Sequence, residues 1–163
     1  MTMKTLAFAL LAGLVVLSVA ETGRADQMPE GARPASAEEV ARAYAGKSDL
    51  WEKDCSGGIY YARNWQARAW CAEKSEALGA GEWSVDDEGR MCQSLTWYWP
   101  NGTRVGATRD ARFCISHVMD EGGDMWRSWP DDPEWWPMKK PTGPVSGYVF
   151  QDDVQQTRTD LGI

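Results

Sequence analysis

Residues with an obvious catalytic chemistry are few in this chain of 163 residues. It contains a single histidine, His117, and lacks both the G-x-S-x-G motif of serine hydrolases and the H-E-x-x-H motif of zinc proteases. Its four cysteines do not have the close C-x-x-C spacing of a zinc site. These observations predict that the protein is not an enzyme and that it has no metal site and no cofactor.

Tryptophan is unusually frequent, with ten copies in the chain. Each indole buries a large apolar area and needs a partner for its N–H, so these residues could simply fill and surround a small core. The alternative is an aromatic cup that stacks on a sugar ring or encloses a small apolar ligand. His117 falls on the apolar face of a predicted strand, so it could be either a hydrogen-bonded core residue or part of a ligand site. The candidate ligand-lining residues are Trp70, Trp83, Trp97, His117, Trp135 and Trp136.

Acidic residues occur in three runs, Asp86-Asp87-Glu88, Asp131-Asp132 and Asp152-Asp153. Two carboxylates held about 5–10 Å apart in a cleft could catalyse glycoside hydrolysis, whereas neighbouring acids on a turn are usually solvated. The net charge of −7 argues against a nucleic-acid partner and against binding to anionic membrane surfaces.

The N-terminus has the pattern of a secretory signal peptide. Lys4 precedes an apolar run, 6–17, that is too short to span a bilayer comfortably. We predict a signal peptide over residues 1–25, cleaved after Ala25 or alternatively after Ala20, then a flexible leader over 26–35 and a single β-rich domain over 36–163. The mature protein is then periplasmic or secreted and has no membrane span; the alternative is a retained anchor helix.

An even number of cysteines in an exported domain indicates two disulfides. Cys55 and Cys71 lie opposite each other if an antiparallel hairpin is centred on Arg63. This register leaves a three-residue loop in which Asn64 occupies the position that needs a left-handed conformation. The first predicted disulfide is therefore Cys55–Cys71.

The second predicted disulfide, Cys92–Cys114, spans a hairpin whose loop contains the strong turn signal Pro100-Asn101-Gly102. Side chains alternate between the two faces of a strand, and the more apolar face is expected to point inward, which places this disulfide on the outer wall. The inward set is Met91, Gln93, Leu95, Trp97 and Trp99 on one strand and Phe113, Ile115, His117 and Met119 on the other.

The remaining pattern is that of a mainly β protein. Ser36 and Glu39 form a capping box that begins a short helix over Ala37–Ala45. Short aromatic and β-branched runs then alternate with turns that end in glycine, which predicts an antiparallel meander forming a small lipocalin-like barrel. The predicted strands are Gly58–Tyr61, Trp65–Ala72, Gly81–Val85, Arg90–Trp99, Arg112–Met119, Asp124–Trp129 and Gly147–Phe150, with a long loop or irregular strand over 130–144.

Several motifs occur in a characteristic order. They are Gly46–Trp51, Gly57–Tyr61, Gly81-Glu82-Trp83, Gly89-Arg90-Met91-Cys92 with Trp97, Cys114 with His117, and Glu134-Trp135-Trp136. Together they resemble the bacterial family catalogued as domain of unknown function 995, over most of the chain from Ala35 to Phe150. The resemblance implies an exported, lipocalin-like small barrel and no particular activity. Gln93 stands where the family usually has an aromatic residue, and Cys55 and Cys71 are additional to its pattern.

These observations support three functional hypotheses. The first is an exported, non-catalytic protein that binds a small molecule or an envelope glycan at a tryptophan-lined barrel mouth. The second is a protein-interaction module, such as an inhibitor or an envelope chaperone. The third is a carboxylate-dependent hydrolase, which requires two carboxylates that face one pocket.

Overall fold

The computed structural model describes residues 27–51 and 55–163. The predicted signal peptide, residues 1–25, lies outside the described residues. Neither of the helices within the described stretches combines the length and the apolar character needed to cross a bilayer.

The fold is mainly β, as predicted, with one antiparallel sheet that curls into a half-barrel. The strand order is β10-β9-β8-β6-β5-β4-β3-β2-β11, with β1 added to β8 and β7 added to β6. The strands are β1 (Arg33–Pro34), β2 (Lys47–Trp51), β3 (Gly57–Tyr61), β4 (Gln66–Cys71), β5 (Leu78–Val85), β6 (Met91–Asn101), β7 (Arg104–Arg109), β8 (Phe113–Met119), β9 (Met125–Ser128), β10 (Trp136–Pro137) and β11 (Val145–Ser146). The helices are α1 (Ala37–Tyr44) and α2 (Gln151–Leu161).

Helix α1 begins where the capping box predicts. The Ser36 hydroxyl accepts the Glu39 backbone N–H at 3.3 Å, and the Glu39 carboxylate accepts the Ser36 N–H at 2.8 Å. Just before the helix, Arg33–Pro34 pairs with β8 and Ala35 is buried. These residues, which the sequence assigned to a flexible leader, are therefore part of the sheet and the core.

The Cys55–Cys71 disulfide is present, but the register of its hairpin differs from the predicted one. Gly57, and not Cys55, pairs with Cys71, so the register is shifted by two residues and Cys55 precedes β3. Because the shift is even and side chains alternate with a period of two, the same residues share a face in the observed register as in the predicted one. The residue in the left-handed conformation is Trp65 (φ 67°), and not Asn64.

Contacts of Trp65 and Trp83 account for this loop. The Trp65 N–H donates to the Ala62 carbonyl at 3.1 Å, and the indole N–H of buried Trp83 donates to the same carbonyl at 2.9 Å. The two indole rings lie 4.6 Å apart. A left-handed conformation costs a residue other than glycine about 1–2 kcal/mol, and the contact between the two rings, which are tilted by 44°, offsets part of this cost.

The second hairpin has the predicted pairing of Cys92 with Cys114, and the disulfide joins them. Its turn consists of Gly102 (φ 63°) and Thr103. The sequence did not predict β7 as a separate strand. The register against β6 changes by one residue between β7 and β8, which is the signature of a β-bulge.

The predicted inward face is confirmed at the centre of β6 and β8, where Met91, Leu95, Ile115 and His117 are buried. Phe113, at the start of β8, is exposed. The buried core is completed by Val40, Tyr44, Ile59, Tyr61, Ala67, Ala69 and Trp83. Helix α1 therefore covers the interior of the sheet with Val40 and Tyr44.

The C-terminal region differs from the prediction. Gly147–Phe150 is not a strand, and it leads into helix α2, which the sequence reading missed. The helix buries Val154, Thr157 and Leu161 and ends at Gly162, which has a φ of 69°. This spacing and the final glycine are ordinary helix signals, but the strongly polar composition of the segment obscured them.

Strands β2 and β9 face each other across the open side of the half-barrel without backbone pairing between them in the described structure. The connection from β10 to β11, residues 138–144, spans this side and was correctly predicted as irregular. The remaining connection between β2 and β9 is made by side chains, which form part of the site described next.

Candidate functional site

A cavity of about 640 Å³ occupies the open side of the half-barrel. Its walls come from β2, β3, β6, β8, β9, β10 and β11, from the segment that follows β9, and from the 138–144 connection. The lining is mostly apolar and aromatic, with a small number of polar groups. The lining residues are Asp49, Leu50, Trp51, Ile59, Tyr61, Gln93, Phe113, Ile115, Arg127, Trp129, Asp132, Trp136, Pro141, Thr142, Gly143 and Val145.

The main polar feature of the cavity is an ion pair between Asp49 on β2 and Arg127 on β9. The Arg127 Nη1 donates to Asp49 Oδ2 at 2.5 Å, and Nη2 donates to the Thr142 carbonyl at 3.1 Å. Both side chains are largely buried, with 8% and 14% of the Arg127 and Asp49 side chains exposed. The pair thus joins the two sides of the half-barrel that the backbone leaves unpaired.

Burial and charge act in opposite directions on this pair. Burial raises the pKa of Asp49, although the neighbouring guanidinium offsets part of that effect. Burial works against the charged form of Arg127, but the Asp49 carboxylate more than compensates, so the pKa of Arg127 lies above its ordinary value. At neutral pH, therefore, we take both groups as charged and mutually neutralising.

Indole rings form one wall of the cavity. The rings of Trp129 and Trp136 meet edge to face with centroids 6.3 Å apart. The Arg127 guanidinium carbon lies 4.9 Å from the centroid of the Trp129 ring, which is a cation–π contact. On β2, Trp51 packs at 6.4 Å against Trp97. Tyr61 contributes a polar atom by donating to Gln93 Oε1 at 2.7 Å.

Next to the cavity, a buried hydrogen-bonded chain runs through His117. Its Nδ1 lies 3.2 Å from the Gly89 carbonyl, and its Nε2 lies 2.8 Å from the Tyr44 hydroxyl. A carbonyl can only accept, so Nδ1 carries the proton and Nε2 accepts from Tyr44. Both ring nitrogens are thus satisfied with the imidazole neutral, and burial lowers the pKa of His117 to about 4.

This low pKa predicts that the protein loses stability in acid. In the unfolded chain the histidine binds a proton near pH 6.5, whereas in the folded protein it does so only near pH 4. The stability that depends on a neutral His117 is therefore fully present above pH 6.5 and is lost as the pH falls towards 4. At about 1.4 kcal/mol for each pH unit, the loss amounts to roughly 3 kcal/mol. Urea denaturation at pH 7, 6, 5 and 4 measures it (these values sample the window set by the two pKa values).

His117→Gln is the control. The carboxylates titrate equally in both proteins, but only the wild type loses stability through protonation of a histidine. The difference between the two pH profiles should therefore follow the histidine. Since His117 is the only histidine, its ring proton resonance reports the pKa directly, with no titration expected between pH 7 and about 5. Parallel pH profiles, or a resonance that titrates near 6.5, would contradict the prediction.

The structure separates the six predicted lining residues. Trp136 lies in the cavity wall. Trp83 and His117 are buried in the core beside Tyr44. Trp97 lies behind Trp51, and Trp135 is half-buried outside the cavity lining.

Trp70 points to the other side of the sheet. Its indole N–H donates to the Thr157 hydroxyl of α2 at 3.2 Å, so the C-terminal helix covers it. The sequence reading placed this tryptophan at a binding mouth because the helix that covers it was not recognised.

The sequence reading missed the ion pair of the cavity, although it had singled out Asp132 among the acidic runs and Gln93 on the inward face. Arg127 stands between Met125 and Trp129 on one face of β9, and Asp49 shares a face of β2 with Trp51. A charged residue at an inward position of a strand is a signal that could have been noticed. The pairing of these two charges could not have been predicted from the sequence, because the residues are 78 positions apart.

Several turn carboxylates have a structural role that explains part of the acidic pattern. The indole N–H of Trp97 donates to Asp110 at 2.7 Å, that of Trp126 to Asp120 at 2.9 Å, and that of Trp136 to Asp132 at 3.3 Å. Tryptophan and aspartate are thus coupled in pairs, because an indole that is partly buried needs an acceptor.

A small antiparallel half-barrel with an aromatic internal cavity and two disulfides is the class of protein that the fold and the site define. Over residues 11–157 the chain matches the family described as "Protein of unknown function (DUF995)". The chain therefore belongs to this family, as its motifs indicated. No curated protein and no solved structure matches it.

Proposed function

We propose that the protein is a non-catalytic binding protein that holds one small molecule in the half-barrel cavity. The observation that carries this proposal is the cavity itself, whose volume of about 640 Å³ lies within the range typical of small-molecule sites. Its lining also has the composition of such sites, since aromatic and aliphatic walls surround a few polar groups. The ligand would present an apolar face to the indoles, as an acyl chain, an aromatic ring or a sugar ring does.

The exposure of the cavity walls supports the same proposal. The core around Val40, Tyr44 and Trp83 is buried, and none of these three residues lines the cavity. Trp51, Trp129 and Trp136 remain half-buried, so each leaves apolar area in contact with solvent. A ligand that covered these rings would remove that area from water, which is favourable by about 25 cal/mol for each Å².

The proposal places the binding protein outside the cytoplasm. Two disulfides indicate an oxidising compartment, which agrees with the secretory pattern at the N-terminus. A periplasmic or secreted location then makes envelope lipids and glycans the most accessible ligands. Mass spectrometry of the mature protein tests this part, with cleavage expected after Ala25 or Ala20.

The test of binding is a titration of the disulfide-bonded protein with envelope lipids and glycan fragments, followed by tryptophan fluorescence and calorimetry. We expect at least one ligand to saturate at one molecule per chain. Val145→Trp should abolish this binding, because Val145 lines the cavity and a larger side chain there would fill it.

Val105→Trp is the matched control, since Val105 is exposed on β7 and lies outside the cavity lining. It should bind as the wild type does. The proposal fails if no ligand class titrates at millimolar concentration, or if Val145→Trp binds as tightly as Val105→Trp.

Hydrolysis is a weaker proposal, although two carboxylates, Asp49 and Asp132, line the same cavity. Asp49 is engaged by Arg127. Asp132 accepts the backbone N–H of Glu134 at 2.9 Å and the indole N–H of Trp136. These contacts engage both carboxylates as hydrogen-bond acceptors within the fold, which favours binding over acid catalysis.

A second candidate function is protein interaction through β7. Within the part of the chain that the structure describes, β7 pairs with β6 alone and is exposed along nearly all its length. A free strand edge can accept a strand from a partner. A stoichiometric partner captured from periplasmic extract by the wild type, and lost with Val105→Lys, would favour this function.

A further inference from the structure

The arginine in the cavity is largely buried and is engaged by groups of the protein itself. Nη1 of Arg127 binds Asp49 and Nη2 binds the Thr142 carbonyl. Nε is buried out of reach of solvent, without a hydrogen-bond partner in the described structure. The charge of Arg127 is neutralised by Asp49 and only 8% of its side chain is exposed, so an anionic ligand gains little net attraction from the guanidinium. An anion that drew Arg127 away from Asp49 would leave that carboxylate buried without its cation.

The negative charge in the cavity exceeds the positive charge. Among the described lining residues, Asp49, Arg127 and Asp132 carry charge, and the first two neutralise each other. Asp132 accepts two N–H groups but forms no ion pair within the described residues. The lining thus has a net negative charge, in a protein whose own net charge is −7.

Two indole rings lie close to this charge. Trp136 donates its indole N–H to Asp132, which fixes the carboxylate beside the ring, and Trp129 packs against Trp136. The negative face of an indole attracts cations, and Arg127 already lies over the Trp129 ring. A carboxylate next to several indole rings is the arrangement that recognises an organic ammonium group.

We propose that the ligand of the cavity is an organic cation, namely an amine or a quaternary ammonium compound with an apolar body. The charged group lies against Asp132 and the neighbouring indoles, and the apolar body lies along the aliphatic lining, which includes Leu50, Ile59 and Ile115. This inference rests on the proposed small-molecule binding and adds the sign of the ligand's charge.

The test compares three compounds with the same octyl chain and different head groups. Octyltrimethylammonium, octanoate and octanol are each titrated into the disulfide-bonded protein by calorimetry at pH 7, below their micelle concentrations. We expect octyltrimethylammonium to bind roughly tenfold more tightly than octanoate, as one compensated charge and one cation–π contact would give. Loss of binding in Val145→Trp would identify the cavity as the place where the compound binds.

Asp132→Asn should reduce the preference for the ammonium compound over octanoate to about twofold or less, since the amide keeps an acceptor oxygen but removes the charge. Asp131→Asn, which changes an exposed neighbour outside the cavity lining, should leave all three affinities unchanged. If octanoate binds as tightly as the ammonium compound, or more tightly, the inference is overturned while cavity binding stands. If none of the three compounds binds, the inference is overturned, and the titration with envelope lipids and glycan fragments decides the proposed function separately.

Discussion

Asp49→Ala is expected to lower the free energy of unfolding by about 3–5 kcal/mol, because it leaves the buried guanidinium of Arg127 without a carboxylate. Arginine does not lose its proton at any physiological pH, so the protein cannot escape this cost by neutralising the side chain. The pair also joins β2 to β9 where the backbone does not, so its loss should loosen the cavity as well. Urea denaturation at pH 7 gives the free energy, and hydrogen exchange in β2 and β9 gives the local effect.

Arg127→Met and the double variant Asp49→Leu/Arg127→Met provide the controls. Arg127→Met should cost less than Asp49→Ala, since the unpaired Asp49 can take up a proton, and its stability should recover as the pH is lowered. The double variant removes both charges and should regain much of the loss, because apolar groups replace a desolvated ion pair. A loss below about 1 kcal/mol for Asp49→Ala would show instead that the pair is hydrated and behaves like a surface ion pair.

Replacing both cysteines of the Cys92–Cys114 disulfide by alanine is expected to lower the free energy of unfolding by about 3 kcal/mol and the melting temperature by about 10 °C. The disulfide closes a loop of 22 residues, and its loss gives the unfolded chain more conformational freedom. Alanine is the suitable replacement because Cys92 is buried, and serine would place a hydroxyl there. Thermal unfolding followed by circular dichroism measures the change.

The Cys55–Cys71 pair is the matched comparison, since it closes a loop of 16 residues at the other hairpin and should contribute about as much. Strong reductant should lower the melting temperature of the wild type and of each double variant. The reductant should not change the melting temperature of a variant in which all four cysteines are replaced by alanine. An unchanged melting temperature of the wild type in reductant would contradict the presence of the disulfides.

The cavity and its charges set the order in which the functional proposals should be tested. Titration with Val145→Trp as the control decides whether the half-barrel binds small molecules at all. The octyl series then decides the sign of the ligand's charge, with Asp132 as the residue that discriminates. Failure at the first step would turn attention to the free edge of β7.

Much of the fold follows from patterns that act over short distances in the sequence. The capping box of Ser36 and Glu39, the glycine-ended turns at Gly89 and Gly123 with φ of 71° and 85°, and both disulfide pairings were predictable. Each depends on hydrogen bonds or on a steric requirement within one turn or one hairpin. Alternation along β6 and β8 likewise predicts which side chains point inward, because the period of a strand is local.

Other features depended on contacts that no local pattern encodes. The left-handed residue in the loop of the first hairpin is Trp65, whose ring packs against Trp83, a residue of a different strand. The surroundings of Trp70 are set by helix α2, more than 80 residues later, through Thr157. In both cases the sequence shows a tryptophan, but its partner is defined only when distant elements come together.

The mainly β class, the disulfides, the family and the excess of tryptophan could all be inferred from the order of the amino acids. The tertiary structure decided which tryptophans are core and which, such as Trp136, line a cavity. It also decided that Asp49 and Arg127 meet, 78 residues apart. The physical reason is that hydrogen bonding and alternation act between near neighbours, whereas a cavity and a buried ion pair arise from the curvature of the whole sheet, which brings its opposite ends face to face.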